Sequence, residues 1–272
     1  MGAMRRHGNR RFSTRAALVV ALFSLPAIPA LPANPALPAL LAQQPVSRLK
    51  GRIADDGGAR LKDAQVRAEA YFGSAAGTFA GQRTFRTTTN ARGEWSIMGI
   101  APGVWMFDAS APGYVPEVVA LPIRLLTASN PNAGGQVIIW DLVLKPRPLP
   151  NNGHGAVLRA AAEAAFAGRY EEAASMLQRV SEDADVEYLE GAGNIALIAH
   201  NPALARALFQ RAIESDPTAY RATRGVASVF LINRDFDSAS RAFDAARSRT
   251  QDKDEMKFIS AALGDLQTIR VR

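Results

Sequence analysis

The sequence predicts a multidomain chain, an all-β sandwich followed by an all-α solenoid of helical hairpins. Three observations predict it. Seven short β-rich runs with turn residues between them fill residues 46–145. Beyond them, small and apolar residues recur at spacings of four and three in three sets, namely Ala173, Leu177 and Val180, then Ala205, Phe209 and Ala212, then Ala239, Phe243 and Ala246. The sets stand 32 and 34 residues apart, which is a helical-hairpin repeat length. A leading stretch over residues 1–42 belongs to neither part.

That leading stretch reads as a signal peptide. Arg5, Arg6, Arg10, Arg11 and Arg15 make a positive start, and Ala16–Leu25 is a ten-residue apolar core closed by Pro26. Ten residues are too few to span a bilayer as a helix and suit a signal-peptide core. Small residues precede Gln43, so cleavage is placed after Ala42, with Ala30, Ala33 and Ala36 as alternatives. Arg10-Arg11 is similar to a twin-arginine signal, but Ser13 and Thr14 stand where that motif has hydrophobics, which favours general secretion. An uncleaved N-terminal anchor is the competing reading. The expectation is an exported chain, periplasmic or extracellular, with no membrane span in its mature part.

Charge follows the same division. The 272 residues carry 32 Lys and Arg against 25 Asp and Glu, for a net charge of +7. The first 42 residues hold five of the arginines and no acid, so the rest is close to balance. Neither half shows the clustered basic stripe that neutralising several phosphates requires, so nucleic acid is not an expected partner. With no cysteine, disulfides, thiolate metal sites and cysteine nucleophiles are excluded.

Within 46–145 the runs are Val46–Ile53, Gln65–Tyr71, Thr84–Thr89, Trp95–Met98, Val104–Ala109, Val118–Leu125 and Val137–Leu144. Alternation is clear in several, with Val104 and Met106 on one face and Trp105, Phe107 and Ala109 on the other. Asp55-Asp56-Gly57-Gly58 and Asn90-Ala91-Arg92-Gly93 supply positive φ at turns, and Ala101-Pro102-Gly103 suits a type II turn. These runs read as an antiparallel sandwich. Trp95, Trp105 and Trp140 sit within alternating strands, and core packing is preferred for them over a sugar-stacking platform.

The string Thr89-Asn90-Ala91-Arg92-Gly93-Glu94-Trp95-Ser96-Ile97, then Ile100–Trp105 and Ala111-Pro112-Gly113-Tyr114, resembles the carboxypeptidase regulatory-like (transthyretin-like) domain family. Lys50–Ile53 with Leu61–Val66 resembles that family's first hairpin, while Gly73–Arg83 is an insert its pattern lacks. The resemblance implies an immunoglobulin/transthyretin-like sandwich that is non-catalytic, acting as a spacer or binding module.

Residues 146–155, rich in Pro, Gly and Asn, are read as a linker. The hairpins are placed at 156–185, 186–219 and 220–253, with a capping helix at 254–272 carrying Ile259, Leu263, Leu266 and Ile269 on one stripe. The second-helix pattern resembles the tetratricopeptide repeat. Ala173, Ala205 and Ala239 match its first small residue, Leu177, Phe209 and Phe243 its large apolar one, and Ala212 and Ala246 its next small one. Leu177 and Val180 depart from it, as do Val157, Leu189 and Thr223 on the first helices, where large aromatics are the norm. The resemblance implies a concave face that binds a protein or peptide.

No cofactor, metal or catalytic residue is predicted. His154 and His200 are widely separated, no glycine-rich phosphate loop or nucleophile elbow occurs, and Glu171, Glu172, Asp235 and Asp237 suit helix starts. The predicted site is a partner-binding groove on the first helices, formed by Glu190, Asn194, Arg221, Arg224 and Ser228 with Glu187 beside them. Arg221 and Arg224 lie three apart, on one helical face, and suit a carboxylate. Pairing of these arginines with Glu187 or Glu190 is the structural alternative. The function expected is an exported non-enzymatic scaffold or adaptor that binds a protein or peptide. The alternative is an envelope protein that binds carbohydrate or peptidoglycan through the sandwich, with the repeats oligomerising it.

Overall fold

The computed structural model describes residues 47–73, 84–100, 103–123, 139–179 and 184–270, all within one compact unit. The signal-peptide stretch, the insert Gly73–Arg83 beyond Gly73, Ala101-Pro102 and Val180 lie outside the described residues, as do the side chains of Trp140 and Ile269.

Among the described residues seven strands form two sheets. The first has the order β4-β1-β7, with β1 Ser47–Ile53, β4 Glu94–Ile100 and β7 Ile139–Leu144. The second has the order β3-β2-β5-β6, with β2 Gln65–Gly73, β3 Thr84–Thr88, β5 Gly103–Ser110 and β6 Glu117–Ile123. Leu49, Ile53, Trp95 and Ile97 of the first sheet share one buried cluster with Val66, Ala68, Trp105 and Phe107 of the second. Trp95 and Trp105 are thus core residues. Gly93 has φ +69, and a Cβ there would stand 2.5 Å from the Ile53 carbonyl oxygen, so the turn requires glycine.

One sheet detail corrects the sequence reading. β7 pairs with β1 in parallel, from Arg48 against Ile139 to Ile53 against Leu144. The preceding described strand, β6, lies in the other sheet, so β7 is a crossover neighbour of β1 and not a hairpin partner of β6. A crossover leaves strand direction free, whereas a hairpin forces antiparallel neighbours.

Seven helices follow among the described residues. Three hairpins are formed by α1 Gly153–Phe166 with α2 Tyr170–Gln178, α3 Val186–Ile198 with α4 Pro202–Ser215, and α5 Tyr220–Ile232 with α6 Phe236–Arg249, and α7 Lys253–Arg270 packs on α6. Side chains of Asn152, Asp185, Asn201 and Asp235 cap α1, α3, α4 and α6, accepting from backbone N–H groups three residues on. The repeat residues do what their spacing implies. Ala173, Ala205, Ala239, Ala212 and Ala246 are fully buried, as are Leu177, Phe209 and Phe243. Phe209 shows why glycines recur on the first helices. A Cβ at Gly193 or at Gly225 would come within 2.4 and 2.5 Å of its ring, so α3 and α5 close on that ring from two sides.

The linker reading changes most. Residues 146–155 are bound to the sandwich, with the N–H of Val115 donating to the Arg147 carbonyl at 2.7 Å and that of Leu149 to Gly113 at 2.8 Å. Helix α1 already begins at Gly153. The two halves also share apolar packing. Met106, Val115 and Val118 join a cluster with Leu158, Tyr188 and Leu189, while Ala227, Leu231 and Phe243 continue the cluster of the sandwich. Both faces of β5 and β6 are therefore buried, one against the other sheet and one against helices.

Candidate functional site

The predicted groove residues come from two parallel stripes. Glu190 and Asn194 lie one turn apart on α3, and Arg221, Arg224 and Ser228 follow one another along a face of α5. The periodicity places each set on one side of its helix. The structure brings all five together, but not at an open surface. The stripe faces β6, which lies against α3, α5 and α7. Glu190, Asn194, Arg224 and Ser228 are buried, each less than a tenth exposed. The expectation of a vacant groove is corrected, because the chain's own strand fills it.

β6 is held through its backbone and its one acid. Asn194 Nδ2 donates to the Pro116 carbonyl at 3.0 Å, and Ser228 Oγ accepts from the Ala120 N–H at 3.1 Å while donating to the Arg224 carbonyl at 3.2 Å. Glu117 pairs with both arginines, through Oε1 to Arg224 Nη2 and through Oε2 to Arg221 Nη1 at 3.4 Å. Arg224 continues to Glu255 on α7 at 2.7 Å, and its Nε has no partner among the described residues. Arg221 reaches Asp56 at 2.5 Å and donates to the Lys145 carbonyl at 2.9 Å. The alternative in which the arginines pair with Glu187 or Glu190 is replaced by this set. A guanidinium in so dry a place needs carboxylates at contact distance, and β6 and α7 supply them.

Glu190 serves the fold differently. Its Oε2 pairs with Arg147 Nη2 at 2.7 Å, and its Oε1 accepts from the Ala222 N–H at 3.0 Å. That bond caps α5, whose own N-cap residue, Ala219, offers no side-chain acceptor. Burial raises its carboxyl above the usual range, against the opposing pull of Arg147 and Arg221. Glu187 is largely exposed, 3.8 Å from Arg147.

Sequence reasoning missed the partners. Glu117, Glu255, Arg147 and Asp56 complete the site, and Glu117 had a signal: it is an acid inside an apolar run, Val115–Ile123. A run apolar on both faces also marks a strand covered on both sides. A second buried polar group lies on β2 and β5, where Arg67 Nε bonds Asp108 Oδ2 at 2.7 Å. Burial pushes the Asp108 carboxyl up to about 6, with the Arg67 guanidinium acting against it. The histidines stay apart in role. His154 stacks on Tyr188 at 4.5 Å between centroids, whereas His200 lies 3.3 Å from the Tyr71 hydroxyl and 3.5 Å from Glu69.

No protein-family model matches the chain, and no curated protein sequence matches it. Several solved structures of different kinds resemble parts of the chain. The type III secretion chaperone SycD of Yersinia enterocolitica, in complex with a peptide of the translocator YopD, is 20% identical over 43% of this chain and 91% of that one, with a TM-score of 0.36. PcrH from Pseudomonas aeruginosa is 18% identical over 46% and 96%, with a TM-score of 0.37. The Sgt2 TPR domain from Aspergillus fumigatus is 12% identical over 45% and 85%, with a TM-score of 0.38. At such scores the helical-hairpin repeat rests on this chain's own helices.

Proposed function

We propose that the chain is an exported, non-enzymatic scaffold that works through protein contact, built from a transthyretin-like sandwich clasped by tetratricopeptide-type hairpins. One observation carries this reading. The inner face of the hairpins holds an extended strand by side-chain bonds to its backbone, Asn194 to the Pro116 carbonyl and Ser228 from the Ala120 N–H. Such bonds recognise extended polypeptide of varied sequence, the chemistry of strand and peptide recognition. Export rests on the arginine-rich start and short apolar core, and a non-catalytic role on the absence of any catalytic constellation in the sequence.

Because β6 occupies the groove, a partner either replaces it or docks on the outer helices α2, α4 and α6. Photo-crosslinking groups at the exposed positions Arg206 and Arg241, and a hydrogen-exchange measurement at the Ala120 amide, separate the two. Discrete protein adducts with an unchanged Ala120 amide place the partner outside; loss of Ala120 protection on partner binding places it in the groove. The scaffold reading fails if the native chain yields neither adducts nor a change in exchange. The alternative, an envelope-glycan binder, draws support from the charge on the sandwich's open face.

A further inference from the structure

The outer face of the first sheet, at β1 and β4, carries Lys50, Arg52 and Glu94, with Arg60 and Arg92 at its edge. Register fixes the arrangement. Lys50 stands opposite Ser96 and Arg52 opposite Glu94, so these four share the outer face while Leu49 and Trp95 turn to the core. Arg60 bridges Ala54 just past the end of β1, on the side of Arg52, and Arg92 lies 3.7 Å from Glu94 in the neighbouring turn. Neither Arg52 nor Arg60 has a hydrogen bond or a contact ion pair among the described residues; both act on Glu94 at longer range. The Asn90 amide, with Arg92, Arg60 and Arg52, holds the Glu94 carboxylate below its usual range.

A cleft of about 660 Å³ crosses this face where β3 runs beside β4. Lys50, Arg52 and the Glu94 carboxylate line it together with Thr87, Thr88, Asn90 and Ser96, so charged groups alternate with hydroxyl and amide groups. Trp95 also contributes to its wall. That residue is 3% exposed with its side chain in the core, and its indole N–H has no acceptor among the described residues. The cleft is polar, as suits a hydroxyl-rich ligand, whereas drug-like pockets are mostly apolar.

We propose that this face is a docking surface for an acidic polysaccharide, its carboxylates meeting Arg52 and Arg60 and its hydroxyls meeting Thr87, Thr88, Asn90 and Ser96. An acidic protein segment would engage the arginines but leave the hydroxyl-lined cleft unused. The inference is independent of the groove. It makes the sandwich the anchor and leaves the hairpins to clasp it.

The test is a titration of the full chain with polygalacturonate, neutral dextran and poly-glutamate. Polygalacturonate should bind, and its affinity should fall as salt rises, because counterions and the ligand compete for the same arginines. Arg52→Gln with Arg60→Gln should weaken it roughly tenfold or more. Both arginines are exposed, so the variant keeps its circular dichroism. Arg241→Gln with Arg247→Gln, on the exposed side of α6, should change nothing. Thr88→Val should weaken polygalacturonate and not poly-glutamate. The proposal is overturned if dextran binds as well as polygalacturonate, if the Arg52/Arg60 variant binds as the parent does, or if poly-glutamate binds as tightly with no response to Thr88→Val, which would make the face a site for an acidic protein.

Discussion

Arg224 on α5 and Glu117 on β6 are 107 positions apart in sequence and meet as a buried ion pair, each about 5% exposed. With Glu255 on the far side of the guanidinium, one cation joins the sandwich, the third hairpin and the last helix. Breaking such a pair from one side leaves charge in a dry interior, which costs more than the pair itself contributes.

Arg224→Ala should therefore destabilise the chain by roughly 3–5 kcal/mol, since two carboxylates lose their cation at once. Replacing all three partners, Arg224→Met with Glu117→Gln and Glu255→Gln, should recover much of the loss. Chemical denaturation of both variants checks this. An Arg224→Ala protein as stable as the parent would mean that the pair does not hold β6.

Ser228→Ala removes the acceptor of the Ala120 N–H and puts nothing in its place. An unsatisfied buried donor costs about 1–3 kcal/mol. The Ala120 amide should lose hydrogen-exchange protection first, ahead of the amides of β2. Equal protection in the variant would show that the backbone bond to Ser228 is dispensable.

Ala212 is fully buried between helices, so Ala212→Leu should cost roughly 1–3 kcal/mol through overpacking. Gly193→Ala should also destabilise, because its Cβ meets the Phe209 ring at 2.4 Å. Phe209→Leu in the Gly193→Ala background should lose less stability than Phe209→Leu alone. Additive losses in this double-mutant cycle would separate the two positions.

Asp108 makes stability depend on pH. Its carboxyl titrates near 6 in the folded chain, above the ordinary value of 3.8, chiefly because it is buried. The folded state thus binds this proton more tightly than the unfolded one. The stability it contributes is fully present below about pH 4 and is lost as pH rises through 6. A two-unit shift corresponds to about 3 kcal/mol. Asp108→Asn should flatten the fall in stability between pH 4 and 7, read by denaturation at several pH values.

Shared packing makes a single unfolding transition the expectation for the described unit, since the apolar clusters each span sheet and helices. Calorimetry of the chain checks this. Cutting between 145 and 152 should leave each half poorly folded alone, with the two regaining structure on mixing. Two separate transitions would restore the reading of 146–155 as a free linker.

Local order was legible in the residues themselves. Short β-rich runs between turn residues placed the strands, and the recurring Ala173–Leu177, Ala205–Phe209 and Ala239–Phe243 spacings placed the second helices. Periods of two and of four-and-three report which side of an element is apolar, a property carried within a few neighbouring residues. The five residues read as a partner-binding groove do lie together, on a face that β6 covers. What covers them was beyond the reach of any period. Glu117 and Arg224 become partners only when β6 is laid across α5, and that depends on the tertiary arrangement of segments 107 positions apart. The same holds for the parallel pairing of β1 with β7 and for the binding of 146–155 to Gly113–Val115. The sequence by itself determined which side of each helix and strand is apolar and where the turns fall. Only the tertiary structure decided that the concave face of the hairpins closes on the chain's own sandwich, because burying the second faces of β5 and β6 required a surface that no local segment could provide.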